Sequence, residues 1–153
     1  MSAQAYPPVK VGLLGLGTVG GGVTRVLARN AEEISRRAGR EIVITHAAAR
    51  NLDTTTAHTA GMKLTGEGLE VVDDPEVSII VELMGGYEPA RTFVLRALAN
   101  GKHVVTANKA LIARHGNEIF AAASAARMMV GFEAAVAGGI PIIKAIREGL
   151  AGN

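Results

Sequence analysis

The chain has 153 residues, enough for one domain and too few for two full ones, and its 48% hydrophobic and 20% charged content supports a packed core and excludes general disorder. Lys+Arg number 16 against 14 Asp+Glu, a formal charge of +2 with no basic run, and aromatics are 3% with no Trp, so neither the electrostatic footprint nor the stacking surface of a nucleic-acid binder is present. Cys is absent, which excludes disulfide scaffolds, Cys-ligated zinc, iron–sulfur clusters and thiol catalysis, and fits a reducing compartment.

Residues 1–8 form a tail that ends at Pro7-Pro8 and lacks the charged-then-apolar layout of a signal peptide. Val9-Lys10-Val11-Gly12-Leu13-Leu14 reads as a short buried strand. A glycine cluster follows, and then Val23, Val26, Leu27, Ala31 and Ile34 recur at helical spacing, giving one helix that fades near Arg36-Arg37 and stops at Gly39. Ile42 opens a second strand that ends at Arg50. Residues 51–68 are polar and rich in Thr and Gly, with room for a short helix near 54–60.

Leu69 to Val72 is expected to be a short strand before the turn Asp73-Asp74-Pro75. Val77-Ser78-Ile79-Ile80-Val81-Glu82-Leu83 is a buried strand closed by Gly85-Gly86. Pro89 suits the first turn of a helix that Gly101 ends. His103 to Thr106 is the next strand, followed by Ala-rich helical sequence over 108–127 with a break near His115-Gly116. Met128 to Phe132 is a last strand, and residues 140–150 a last helix.

Strands alternate with helices, and the strands lack polar alternation. That pattern argues for an α/β fold, a doubly wound parallel sheet covered on both faces. The domain is expected to run over residues 9–153. No uninterrupted apolar stretch is long enough to span a bilayer, so no membrane partner is expected and the location expected is cytoplasmic.

Gly15-Leu16-Gly17-Thr18-Val19-Gly20 matches G-x-G-x-x-G directly after a strand and at the start of a helix, the context that makes it a Rossmann-type dinucleotide fingerprint. The first glycine permits the turn, the second lets backbone approach a pyrophosphate, and the third lets the helix pack closely on the sheet. Amide N–H groups and the positive helix end then face the phosphates.

Cofactor choice falls to the end of the second strand, where a carboxylate would bond the ribose 2′-hydroxyl of NAD. Here the strand ends Ala48-Ala49-Arg50, and no acid follows until Asp53. A guanidinium at that place can clamp a 2′-phosphate, so NADP is favoured, with NAD as the alternative.

Thr106-Ala107-Asn108-Lys109 ends a strand at the carboxyl edge, where ligands of open α/β sheets bind. Asn108 is a good N-cap, which puts Lys109 in a helix's first turn, a place unfavourable for a cation unless it meets an anionic substrate or moves a proton. Gly85-Gly86 after Leu83-Met84 lets backbone come close to a ligand at the same edge, such as a nicotinamide, or else is a turn pair. Glu133 either anchors its loop by accepting backbone N–H bonds or lends its carbonyl to a hard cation. The four histidines show no metal-ligand spacing and read as structural or surface residues.

Four stretches together resemble the cofactor part of homoserine dehydrogenase: the segment from Val11 to Gly20, Val81-Glu82-Leu83-Met84-Gly85-Gly86, the segment from Gly101 to Leu111, and the segment from Glu133 to Ile143. The resemblance implies NAD(P)H-dependent interconversion of L-aspartate 4-semialdehyde and L-homoserine. It implies that Leu16, Thr18 and Val19 contact the dinucleotide, that Arg50 meets the 2′-phosphate, and that Met84 and Gly85 lie by the nicotinamide. Lys109 would serve cofactor and substrate. A monovalent cation, usually sodium, would be held by main-chain oxygens of Glu133, Val136, Gly138 and Ile140.

Family members continue into a substrate and dimerisation domain carrying the substrate carboxylates and a second, proton-donating lysine, and through it they form homo-oligomers. The present sequence stops at Asn153, so it is expected to bind cofactor with negligible turnover. Two rivals remain at this stage. Sugar- and inositol-type dehydrogenases share Gly-Lys-His-Val but usually carry Glu-Lys-Pro where this chain has Ala107-Asn108-Lys109-Ala110. A nucleotide-sensing module without chemistry would give no reason for Lys109 at a helix start.

Overall fold

The computed structural model describes residues 6–52 and 58–149. Six strands form one sheet in the order β3-β2-β1-β4-β5-β6, with every neighbouring pair parallel. They are β1 (Val9–Leu14), β2 (Ile42–Ala48), β3 (Lys63–Thr65), β4 (Ile79–Glu82), β5 (His103–Thr106) and β6 (Val130–Gly131). The helices are α1 (Thr18–Arg29), α2 (Ala31–Ala38), α3 (Gly68–Asp73), α4 (Ala90–Ala99), α5 (Lys109–Ala126) and α6 (Ile142–Gly149), with a 3-10 turn over Glu133–Ala135. This is the doubly wound dinucleotide-binding order, with the direction of winding reversing between β1 and β4.

Each sheet face has its own core. Leu14, Val71, Val72, Ile80, Val94, Leu98, Leu111 and Ile119 pack together beneath α3, α4 and α5. Val11, Leu13, Leu16, Ile44 and Ala47 pack on the opposite face with Val23 and Leu27 of α1. Glycines let the layers come close. A Cβ on Gly12 of β1 would lie 2.6 Å from Val71 Cγ1 of α3, and one on Gly68 would lie 2.4 Å from the Phe93 ring of α4.

The second face is only half covered. In one row across the sheet, Ala47 pairs with Leu13, Leu13 with Val81, Val81 with Val105, and Val105 with Gly131. Leu13 is fully buried, Val81 half-buried, and Val105 is 42% exposed, because α1 packs against the β1–β2 side. Ile140, Ile142 and Ile146, at and beside α6, are exposed as well.

Several elements depart from the expectations. The single helix over the first crossover is two, interrupted at Asn30, whose side chain gives no cap bond. The stretch from Leu69 to Val72 is helical, not a strand, because Val71 and Val72 both bury on α3 against the sheet and its neighbours. The third strand is instead Lys63–Thr65, which the sequence reading leaves as loop. Helix α5 runs unbroken through His115 and Gly116, with a buried Gly116 whose Cβ position lies 3.4 Å from Phe120. Strand β4 is shorter than residues 77–83, β6 is shorter than 128–132, and α6 starts at Ile142. Most of the short helix expected near 54–60 falls outside the described residues.

Two buried ionisable side chains, His46 and Lys102, find partners below the sheet, although His46 Nε2 and the Thr45 hydroxyl have none among the described residues. His46 Nδ1 lies 2.8 Å from Asp74 Oδ2, and Lys102 Nζ donates to the carbonyls of Asp74 and Val77 at 2.5 and 2.6 Å. Among the described residues no helix is long and apolar enough to cross a membrane.

Candidate functional site: a cleft at the carboxyl edge of the sheet

A cleft of about 430 Å³ opens at the carboxyl ends of β1, β2 and β4. Its floor is Gly15-Leu16-Gly17, one wall is Ala48, Ala49 and Arg50, and the other is Leu83, Met84 and Gly85. Asn51, Gly66, Glu88 and Pro89 complete the lining, and none of these four was a candidate site residue in the sequence.

The glycine turn behaves as its spacing requires. Gly15 has φ +102°, and a Cβ there would lie 3.0 Å from the Leu83 carbonyl oxygen. Its N–H donates to Ala48 O at 2.9 Å, which ties the turn to β2. A Cβ on Gly20 would fall 2.0 Å from Gly15 O, so the first turn of α1 lies directly on the loop. Gly17 is different: among the described residues nothing lies within 4 Å of its Cβ position. It is the N-cap of α1, with no side-chain cap bond and no acid in the first turn. Among the described residues, the positive end of α1 therefore meets the cleft without an acid of its own first turn, which fits a diphosphate held by backbone N–H groups.

Arg50 lines the cleft from the end of β2 and is exposed. Among the described residues no carboxylate is paired with it. Leu16 is 4% exposed and belongs to the core, so its backbone faces the cleft while its side chain packs. Thr18 and Val19 are exposed on α1 and, like Gly20, lie outside the lining itself.

Lys109 opens α5, as the cap reading requires: Asn108 Oδ1 accepts from Leu111 N–H at 3.0 Å. The lysine is exposed and does not line the cleft; it stands at the end of β5, one strand over from the Met84–Gly85 wall. The Glu133 loop lies beyond β6, and the Glu133 carboxylate accepts from Ile143 N–H at 2.9 Å and Lys144 N–H at 3.3 Å, holding the start of α6. The Glu133 carbonyl accepts from Val136 N–H at 3.1 Å, and Ile140 O from Ile142 N–H at 2.8 Å. Among the described residues no group of three or more His, Cys, Asp or Glu could hold a metal, so a cation in this loop would depend on main-chain oxygens.

Glu82 is the residue that motif reading passes over. It is fully buried at the end of β4. Its Oε1 accepts from Met84 N–H at 2.7 Å, and its Oε2 accepts the Thr106 hydroxyl at 2.5 Å. Burial pushes its carboxyl above the ordinary 4.5, while those hydrogen bonds oppose the rise. The available signal was an acid inside an otherwise apolar strand, which must find partners when buried.

Residues 15–133 match the family model described as homoserine dehydrogenase, NAD binding domain. A homoserine dehydrogenase of Pseudomonas aeruginosa is 60% identical over 146 residues, covering 95% of this chain and 33% of that protein. One from Neisseria gonorrhoeae is 53% identical, with 95% and 34% covered. The crystal structure of a homoserine dehydrogenase from Thiobacillus denitrificans superposes with a TM-score of 0.93 at 66% identity, over 99% of this chain and 35% of that one. The chain thus spans about a third of the length of the relatives it matches. Because the matched segment carries the cofactor-domain pattern onto the sheet edge where that pattern has a physical use, the chain belongs to the homoserine dehydrogenase family.

Proposed function

We propose that residues 9–153 are a unit that binds NADP, with NAD as the weaker alternative. In a protein of the relatives' full length this unit would serve the interconversion of L-aspartate 4-semialdehyde and L-homoserine. The observation behind this reading is the end of α1, where Gly17 has no described residue within 4 Å of its Cβ position and the first turn carries no acid. The bound dinucleotide would supply or accept the hydride. Gly15 to Gly20 would hold its diphosphate, and Arg50 its 2′-phosphate. Met84 and Gly85 would flank the nicotinamide with backbone, and Lys109 would hold the substrate oxygen by hydrogen bonding.

In this reading the main-chain oxygens of Glu133, Val136, Gly138 and Ile140 hold a monovalent cation that braces the loop. The half-open sheet face and the apolar side of α6 are where the remaining two thirds of a full-length protein would pack, closing the substrate pocket and carrying the subunit contacts. The location is cytoplasmic and the partner a small molecule.

The cofactor assignment is tested by fluorescence titration with NADPH and NADH. Arg50→Ala is expected to weaken NADPH by about tenfold or more, as loss of a charge-assisted contact should, and to leave NADH within about twofold. Equal losses for both nucleotides overturn the NADP assignment.

A further inference from the structure

Glu82 joins two segments that the sequence keeps far apart. Through Oε1 it holds Met84 N–H at 2.7 Å, and through Oε2 the Thr106 hydroxyl at 2.5 Å. Thr106 Oγ1 accepts from Asn108 N–H at 3.0 Å. Asn108 then closes the ring: its Nδ2 donates to Gly86 O at 2.8 Å while its Oδ1 caps α5 at Leu111 N–H. One side of the ring is the loop bearing Met84 and Gly85, which lines the cleft, and the other is the first turn that bears Lys109.

A buried carboxylate is an unfavourable way to fill space; an apolar side chain of similar volume would pack the strand end at lower cost. What an acid offers there is two acceptor oxygens on one rigid plane, able to take an N–H from one loop and an O–H from the other. Leu83 and Met84 pack their side chains against the two cores, but Gly85 and Gly86 have none to anchor them. The placement of this glycine backbone therefore draws on hydrogen bonds from behind.

We propose that Glu82, Thr106 and Asn108 are positioning residues that fix the spacing between the Met84–Gly86 backbone and the start of α5, and so order the nicotinamide end of the cofactor without touching its adenosine end. The inference rests on the dinucleotide reading of the cleft.

The test uses two probes: NADPH, and adenosine 2′,5′-bisphosphate, which has the adenosine and 2′-phosphate but no nicotinamide. Asn108→Asp keeps the cap acceptor for Leu111 N–H and removes the donor to Gly86 O, so it separates helix capping from loop positioning. Thr106→Val removes the hydroxyl at constant shape, and Thr106→Ser restores it.

Asn108→Asp and Thr106→Val are expected to weaken NADPH about tenfold, the first losing the bond to Gly86 O and the second the two bonds of the hydroxyl, each loss amplified by misplaced backbone. Adenosine 2′,5′-bisphosphate should stay within about twofold, and Thr106→Ser should recover NADPH binding to within about threefold. The rise in nicotinamide emission on binding should shrink in the two damaging variants. Unfolding midpoints confirm that each variant is folded. Equal losses on both probes, or variants that bind NADPH as the parent does, overturn the inference while leaving the dinucleotide reading intact. A parent chain that binds neither probe overturns both.

Discussion

Gly15, Gly17 and Gly20 answer to different constraints, and substitution separates them. Gly20→Ala drives a methyl to 2.0 Å from Gly15 O, a backbone atom that cannot yield without moving α1. It is expected to cost about 3 kcal/mol of stability, measured by urea unfolding. Gly17→Ala meets no atom of the described residues and should unfold within about 0.5 kcal/mol of the parent, yet its methyl stands where a diphosphate would lie and should abolish measurable NADPH binding. The fingerprint was legible because its glycines are close in sequence and each position has a fixed mechanical reason. Glu82 was not, because the partners that explain it, Thr106 and Asn108, come from the next strand and helix, and only the β4–β5 pairing brings them to it.

Among the elements, α5 ends on an unusual residue. Arg127 is exposed and left-handed, with φ 56°, while Met128 N–H returns to Ala123 O at 2.9 Å to close the helix. Only glycine takes that conformation without strain, so Arg127→Gly is expected to raise stability by about 0.5–1 kcal/mol, read from the denaturant midpoint at unchanged slope. Helix stops at Gly39 and Gly101 were readable from the same rule, and both are left-handed. Strand β3 was not readable: three residues in a polar segment carry no period, and Lys63-Leu64-Thr65 becomes a strand by pairing with His46, Ala47 and Ala48. Helix α3 failed for the opposite reason. Val71 and Val72 favour strands in isolation, but burial against Gly12 and its surroundings decides for the helix.

For the whole molecule, opposing carboxylates set the response to acid. The Arg96 hydrogen bond holds Asp73 below its ordinary value. Burial pushes Asp74 up, but the Glu76 N–H and the His46 ring outweigh it and hold it below 3.8. Stability from such groups is present above their ordinary values and is lost as pH falls through their lowered ones. Glu82 has the reverse sign: raised on folding, it subtracts stability as pH climbs from 4.5 through its folded value, and it subtracts nothing below. Glu82→Gln removes that titration. Its stability relative to the parent should therefore be constant below about pH 4.5, improve as pH rises above that, and then level off, measured by urea unfolding across the range. A flat difference throughout would show that Glu82 does not titrate with folding.

The row from Leu13 to Gly131, buried at one end and wet at the other, sets how the chain behaves in a tube. Valine shown to water at the rim will draw in whatever hydrocarbon the solution holds, whether dye, detergent tail or a sister molecule. Sulfate should tighten that clinging and cooling should loosen it, because water's aversion to bare methyl groups grows with the first and fades with the second.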